Sequence, residues 1–181
     1  MLLKILNAGS GGQGVLTMGN ILGNAAMLAD YHVTYLPEYG AAMRGGTANC
    51  TISISDEEIA SPIASIPDII VAMNQPSVAK FIARMLSGGQ MIYNADLVDT
   101  VPVRGDVILY GVHANKIAHE MGSERSANMV ILGSLVKLIA VIDPEKVLES
   151  MEMAMGSKKK LFEMSVKAFR AGFELFDNNT K

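Results

Sequence analysis

The stretch Asn7-Ala8-Gly9-Ser10-Gly11-Gly12-Gln13-Gly14-Val15 decides the fold of this chain, because an apolar run leads into it and a helical pattern follows it. Residues 2–6 are apolar apart from Lys4 and predict a β-strand. The helix is predicted by apolar residues at steps of three and four, namely Val15, Met18, Ile21, Leu22, Ala25, Ala26 and Ala29. Four glycines in six positions leave backbone N–H groups uncovered, and the helix N-terminus adds a positive dipole end. The strand, loop and helix together predict a cradle for an anion or a phosphate group.

The glycine spacing alone does not identify a ligand. Gly9, Gly11 and Gly14 satisfy the G-x-G-x-x-G pattern, which is weak evidence when it stands alone. A Walker A loop is excluded because Val15 follows Gly14, where that loop requires a lysine. A tight turn between strand and helix that binds no ligand is the alternative interpretation of the same residues.

Length and composition favour one domain that works within a larger assembly. With 181 residues the chain can bury one full core, so we expect a single α/β domain over residues 1–176 and a frayed tail at 177–181. Charged residues make up 18% of the chain, against about 25% in typical soluble domains. This deficit favours a subunit over a free monomer, and the 13 methionines agree, because methionine suits adaptable contact surfaces. A methionine-rich core is the alternative explanation.

Charge and cysteine content exclude several classes of protein. The net charge is −3 without a basic tail, which argues against a nucleic acid partner. Cys50 is the only cysteine, so the chain has no disulfide and cannot supply four thiolates to zinc or to an iron–sulfur cluster. The most apolar stretch, residues 129–142, is too short to cross a bilayer. We therefore expect a cytoplasmic protein with no membrane partner.

Apolar periodicity along the chain predicts the fold class. Strands and helices alternate before residue 114, and the pattern is helical after it. The prediction is an α/β fold of three layers, in which helices cover a mostly parallel or mixed sheet, with a helical C-terminal third. Pro37 is expected to end the second strand. Further strands are predicted at 32–36, 48–55, 69–73, 91–93 and 107–110, and further helices at 77–86, 114–121, 126–142, 145–155 and 158–176.

Arg44 is a candidate anion ligand in a loop of small residues. It lies between Met43 and the pair Gly45-Gly46, and its planar guanidinium can bind a phosphate or a carboxylate through two hydrogen bonds. A surface arginine, or one paired with Glu38, is the alternative. The three histidines and the lone thiol fit structural positions better, since no catalytic triad can be assembled from them.

A set of short motifs resembles the gamma subunit of 2-oxoacid:ferredoxin oxidoreductases over nearly the whole chain. The most specific are Gly11-Gly12-Gln13-Gly14-Val15 and the block Met43-Arg44-Gly45-Gly46-Thr47-Ala48-Asn49-Cys50. The form of this block is more similar to 2-oxoglutarate or branched-chain 2-oxoacid members than to pyruvate members. Ala42 departs from the family, which often carries an acidic residue at that position. The other motifs are Glu38-Tyr39-Gly40, Ile54-Ser55-Asp56-Glu57, Ser61-Pro62, Ala72-Met73-Asn74-Gln75-Pro76, Asn128-Met129-Val130 and Lys167-Ala168-Phe169-Arg170-Ala171-Gly172.

The resemblance implies a subunit that cannot run a reaction alone. Enzymes of this family oxidatively decarboxylate a 2-oxoacid to an acyl-CoA and pass the electrons to ferredoxin. Thiamine diphosphate, magnesium and the iron–sulfur clusters are implied to lie on partner subunits, alpha and beta with delta as a further candidate. The implied role of this chain is to complete the complex near the active site and to help hold coenzyme A. That role has been linked to the similar domain III of pyruvate:ferredoxin oxidoreductases.

The resemblance and the two loops together define a candidate site without catalytic residues or metal ligands. Two alternatives remain open, namely a stand-alone dinucleotide-binding or sensing domain with Glu38 as the ribose ligand, and a purely structural scaffold subunit. The isolated chain is a candidate homodimer. The predicted cofactor-binding residues are Gly11, Gly12, Gln13, Gly14, Arg44, Gly45, Gly46 and Thr47.

Overall fold

Six strands and six helices make up the computed structural model, which describes residues 1–39, 46–61 and 66–176. The strands are β1 (Leu2–Ser10), β2 (His32–Tyr39), β3 (Thr47–Ser55), β4 (Ile69–Ala72), β5 (Gln90–Asn94) and β6 (Ile108–Val112). The helices are α1 (Val15–Leu28), α2 (Gln75–Phe81), α3 (Ala114–Glu120), α4 (Ala127–Ile139), α5 (Pro144–Met155) and α6 (Lys159–Glu174). Short 3-10 turns follow α2 at Ile82–Arg84 and precede α4 at Glu124–Ser126. The predicted tail at 177–181 lies outside the described residues.

All six strands belong to one mixed sheet in the order β2-β3-β1-β4-β5-β6. Strands β1, β4, β5 and β6 pair in parallel, whereas β3 runs antiparallel to both of its neighbours. The predicted α/β class with a mixed sheet is confirmed.

Helices cover both faces of this sheet, which confirms the predicted layers. Alternate residues of β4 face opposite sides, as the pleat of a strand requires. Ile69 and Val71 join the core formed with α1 and α4, while Ile70 and Ala72 join a second core that contains Phe81 of α2. Within the described part of the chain, no helix has the length and apolarity needed to cross a membrane.

The helical C-terminal third is built around an unusually close contact between α4 and α6. A Cβ atom added to Gly133 of α4 would lie 2.0 Å from the carbonyl oxygen of Phe169, and one added to Gly172 of α6 would lie 1.9 Å from that of Val130. The hydroxyl of Ser134 donates to the carbonyl oxygen of Gly172 at 3.0 Å. Helix α4 is buried around its circumference, since ten consecutive residues from 127 to 136 are buried.

Several predicted boundaries were wrong. Helix α4, for example, ends at Ile139 and not at residue 142, because Ala140 adopts a left-handed conformation with φ of 50°. Strand β2 continues through Pro37 to Tyr39, because β2 lies at the edge of the sheet, where a missing N–H on the open side removes no ladder hydrogen bond. Helix α2 begins at Gln75 and not at Ser77, because the Asn74 side chain caps it by accepting a hydrogen bond from the Ser77 amide at 3.0 Å.

Candidate functional site

The order of the strands creates a crevice where β1 and β4 end. These two strands are parallel neighbours, and the chain leaves them towards opposite faces of the sheet, to α1 after β1 and to α2 after β4. In open α/β sheets, ligands bind outside the carboxyl ends of the strands at such a switch point. The glycine loop, residues 9–14, begins with the last two residues of β1 and therefore lies at this position.

The backbone of the glycine loop leaves the N-terminus of α1 without a side-chain cap. Gly14 is the N-cap residue and adopts φ of 71°, a left-handed conformation that glycine reaches without strain. A Cβ atom at Gly14 would lie 2.2 Å from Nδ2 of Asn128, so this position also requires glycine for space. The first N–H groups of a helix have no partner within the helix, and α1 thus directs free donors towards the crevice.

The side chain of Gln13 binds protein groups on both sides of the crevice. Its Oε1 accepts hydrogen bonds from the Ser10 amide at 2.7 Å and from Nδ2 of Asn74 at 2.9 Å. Its Nε2 donates to the carbonyl oxygen of Met73 at 3.3 Å. The Gln13 amide therefore connects the loop after β1 to the loop after β4.

The second predicted loop meets the first one directly. The Gly11 amide donates to the carbonyl oxygen of Gly46 at 3.1 Å, and Thr47 is the register partner of Ser10 in the antiparallel pairing of β1 with β3. Six of the eight predicted site residues are thereby brought together. Arg44 and Gly45 lie outside the described residues.

A cavity of about 320 Å³ opens beside the glycine loop, and its far wall comes from the helical third of the chain. Arg125 lies in the 3-10 turn that precedes α4, Asn128 lies in the first turn of α4, and both side chains line the cavity. Sequence reasoning missed Arg125 and Asn115 as site residues, and the signal available was only the resemblance around residue 128. The cavity is lined by Gly12, Gln13, Met73, Leu97, Asn115, Glu124, Arg125, Ala127 and Asn128.

The polar groups of this cavity include one cation, the guanidinium of Arg125, and the side-chain amides of Asn115 and Asn128, each of which keeps an atom available for a further hydrogen bond. Arg125 is exposed, and no hydrogen bond or ion pair engages it within residues 1–39, 46–61 and 66–176. Asn115 accepts from Nδ2 of the buried Asn94 at 2.7 Å, which leaves its own Nδ2 as a donor without a partner among the described residues. Nδ2 of Asn128 donates to the Gly14 carbonyl at 3.3 Å and leaves its Oδ1 as an acceptor. Glu124 is the one acidic group of the lining, and it lies 3.4 Å from Nδ1 of His119.

The carboxylate of Asp96, next to the lining residue Leu97, forms hydrogen bonds with groups at the start of α3. Asp96 accepts hydrogen bonds from the Lys116 amide at 2.9 Å and from Nδ1 of His113 at 2.8 Å. Burial raises the pKa of Asp96, but these hydrogen bonds outweigh it and leave the pKa below its usual value. Asp96 is therefore an anion that fixes the start of α3, the helix that carries Asn115.

The lone thiol supports the sheet beneath α1. Cys50 is fully buried and donates to the Val15 carbonyl at 3.7 Å. Burial raises the pKa of the Cys50 thiol from 9.0 to about 12, against weaker lowering by Tyr35 and Asn7. At neutral pH the thiol is thus un-ionised, as expected of a structural cysteine.

The mixed sheet, with a glycine loop at its switch point, places the chain among α/β proteins that have a crevice at the position where such sheets bind ligands. The family model described as pyruvate ferredoxin/flavodoxin oxidoreductase matches residues 4–175. The chain belongs to this family. The resemblance noted from the motifs is confirmed.

Two relatives differ in how much of their own length corresponds to this chain. It is 36% identical over 173 residues to the ketoisovalerate oxidoreductase subunit VorA of Methanothermobacter thermautotrophicus, a match that covers 95% of this chain. The chain spans only about a third of the length of that relative, since the match covers 36% of it. The 2-oxoglutarate synthase subunit KorC of Methanothermobacter marburgensis is 33% identical over 188 residues, and the match covers 98% of both chains.

Two solved structures share the fold. The gamma subunit of a keto/oxoacid ferredoxin oxidoreductase from Geobacter sulfurreducens superposes with a TM-score of 0.81 at 29% identity, covering 95% of this chain and 96% of that one. The 2-oxoglutarate:ferredoxin oxidoreductase from Magnetococcus marinus, solved with 2-oxoglutarate, coenzyme A and succinyl-CoA bound, superposes with a TM-score of 0.91 at 27% identity. That match covers 99% of this chain and 32% of the larger chain.

Proposed function

We propose that this chain is the gamma subunit of a multisubunit 2-oxoacid:ferredoxin oxidoreductase and contributes the part of the complex that holds coenzyme A. The matches to KorC and to the Geobacter gamma subunit, which cover 98% and 96% of those chains, support the assignment as a gamma subunit. In VorA and in the Magnetococcus chain the corresponding region is about a third of a longer polypeptide. This supports a direct contact with the subunit that corresponds to the remainder.

The observation that carries the coenzyme A proposal is the combination of free donors at one crevice. The N-terminus of α1 and the guanidinium of Arg125 both favour an anion, which suits the phosphate groups of coenzyme A. The Magnetococcus relative was solved with coenzyme A bound, which supports this assignment. Arg44 remains a predicted second cation for the same ligand, because its loop continues into Gly46, whose carbonyl bonds to Gly11.

The amides of the crevice suit the adenine end of the ligand. Asn115 offers a donor and Asn128 an acceptor, which is the complement of an adenine edge that presents a ring nitrogen and an amino group. Leu97 and Ala127 supply apolar surface for the ring. A cavity of about 320 Å³ lies at the lower end of the range of ligand pockets, about 300–1,000 Å³, so it holds one end of coenzyme A. The thiol end would extend towards the partner subunits.

The reaction itself belongs to the partners in this proposal. Thiamine diphosphate, magnesium and the iron–sulfur clusters would lie on the alpha and beta subunits, with delta as a further candidate, and ferredoxin would accept the electrons. This chain then binds and orients coenzyme A and supplies no catalytic residue. The substrate is proposed to be 2-oxoglutarate or a branched-chain 2-oxoacid, since both substrates occur in the names of its relatives. The proposed compartment is the cytoplasm.

Steady-state kinetics of the assembled complex test this assignment. Arg125→Ala removes charge-assisted hydrogen bonds worth about 1.5–3 kcal/mol, so we expect the KM for coenzyme A to rise roughly 10- to 150-fold. The KM for the 2-oxoacid should stay unchanged. Arg170→Ala is the matched control, because Arg170 is an exposed arginine on α6 that lies outside the crevice.

Three outcomes separate the proposal from its alternatives. An unchanged KM for coenzyme A in the Arg125→Ala complex refutes the crevice as the binding site. Weaker assembly with normal kinetics in the remaining complexes indicates a scaffold subunit. A thermal shift of the isolated chain by NAD, with none by coenzyme A, indicates a dinucleotide-binding domain.

A further inference from the structure

The two loops that flank the crevice are joined by side chains as well as by the sheet. Ser10 is the last residue of β1, Gln13 lies in the loop that follows it, and Asn74 lies in the loop after β4. Nδ2 of Asn74 donates to the Ser10 hydroxyl at 2.7 Å and to Oε1 of Gln13 at 2.9 Å. We call these three residues, Ser10, Gln13 and Asn74, the loop-bridging network.

The hydrogen bonds of this network fix both amides in one orientation. Oε1 of Gln13 faces two donors, and its Nε2 faces the carbonyl oxygen of Met73. Oδ1 of Asn74 accepts from the amide and the hydroxyl of Ser77 at 3.0 and 2.7 Å. Rotating either amide by 180° would place donors against donors and acceptors against acceptors, so each side chain has a single satisfied state.

Because the side-chain amide of Gln13 is hydrogen-bonded to protein groups, it is not available as a direct ligand contact. Gln13 lines the cavity, but its two polar side-chain atoms are already bonded to protein. Its own backbone N–H donates to the Ser10 carbonyl at 3.1 Å, which closes the loop as a turn. The remaining loop donors and the N-terminus of α1 are thereby held at a fixed place relative to β4.

We infer that Gln13 is a positioning residue for coenzyme A, and that Asn74 performs the same task from the opposite loop without lining the cavity. This inference rests on the proposed coenzyme A site. The network holds the glycine loop in the conformation that aims its N–H groups at the phosphates, and such preorganisation lowers the cost of binding. Because Asn74 also caps α2, the network couples the loop after β1 to the start of that helix.

Two substitutions break the network in different ways. Gln13→Met keeps the length of the side chain and adds no charge, but it removes all three hydrogen bonds of the amide. Asn74→Ser keeps an N-cap oxygen for the Ser77 amide, since serine caps helices about as well as asparagine, and it removes the donors to Ser10 and Gln13. Ser77→Ala is the matched control, because it removes a hydrogen bond to the same Asn74 oxygen on the α2 side only.

The test is the kinetics of the assembled complex with coenzyme A and the 2-oxoacid varied separately. We expect Gln13→Met and Asn74→Ser each to raise the KM for coenzyme A about 10-fold, equal to 1.4 kcal/mol, with kcat changed less than about twofold. The double variant should resemble the single ones, because both remove the same network. Ser77→Ala should leave the KM within about twofold of the unsubstituted complex.

Results that reject the role of the loop-bridging network differ from results that reject the coenzyme A site itself. A raised KM for Gln13→Met together with a normal KM for Asn74→Ser would make Gln13 a direct ligand contact and overturn the inference. Additive effects in the double variant would also overturn it. Normal KM values for both variants, with a raised KM for Arg125→Ala, would reject the network while the site stands. Normal values for all three would reject the site as well.

Discussion

Replacing Gly14 by alanine tests whether the glycine loop is shaped by backbone conformation, by space or by both. Gly14 and Gly12 both have positive φ, 71° and 93°, where an L-residue costs about 1–2 kcal/mol. Only at Gly14 would the new Cβ meet a neighbour, Nδ2 of Asn128 at 2.2 Å, whereas at Gly12 nothing lies within 4 Å. The clash breaks the Asn128–Gly14 hydrogen bond, worth about 0.5–1.5 kcal/mol. We expect losses of about 1.5–3.5 kcal/mol for Gly14→Ala and about 1–2 kcal/mol for Gly12→Ala.

The measurement is urea unfolding of the isolated chain followed by far-ultraviolet circular dichroism. An unchanged m value in both variants shows that the difference reflects the folded state. In the assembled complex, the displaced Asn128 should also raise the KM for coenzyme A in Gly14→Ala more than in Gly12→Ala. Equal losses of unfolding free energy would refute the argument, because they would show that the contact with Asn128 carries no free energy.

Three further predictions concern Gly133 and the buried thiol of Cys50. Gly133→Ala should lower the free energy of unfolding in a urea titration by about 3 kcal/mol or more, because the backbone of α6 cannot move away from the new Cβ atom. Gly105→Ala is the control and should leave this free energy unchanged, because nothing lies within 4 Å of a Cβ atom there. The Cys50 thiol, whose pKa is raised to about 12, should react with a disulfide reagent at pH 8 only after unfolding. Because the folded pKa exceeds the unfolded one, Cys50 should also make stability fall as the pH rises from about 9 towards 12, and Cys50→Ala should show a smaller fall over that range.

Much of the fold could be predicted because helix and strand periods are local properties of the sequence. The repeat from Val15 to Ala29 and the apolar run at 69–73 each encode one element by their own spacing. The direction of β3 could not be predicted in the same way, since pairing with both β1 and β2 depends on residues far apart in sequence. The continuation of β2 through Pro37 likewise depends on its place at the edge of the sheet.

In the candidate site, too, only the features encoded by neighbouring residues could be predicted from the sequence. The glycine loop was visible because glycines and a following helix are adjacent in sequence, and its ligand-binding role remains a prediction. The hydrogen-bond partners of Gln13 follow β4, and Arg125, which lines the same cavity, precedes α4. Both are far from the glycine loop in sequence, so no local pattern could predict these contacts. The contact of Gly11 with Gly46 arises from the pairing of β1 with β3, so two separate motifs form one surface.

Reconstitution of the complex with and without this chain tests directly whether the chain is the subunit that holds coenzyme A. The alpha and beta subunits are purified alone and with this chain, and 2-oxoacid-dependent reduction of ferredoxin is measured as coenzyme A is titrated. We expect coenzyme A-dependent turnover to require this chain. A complex carrying Arg125→Ala should show a raised KM for coenzyme A with an unchanged KM for the 2-oxoacid. Alpha and beta subunits that turn over without this chain, at the same KM for coenzyme A, would contradict it.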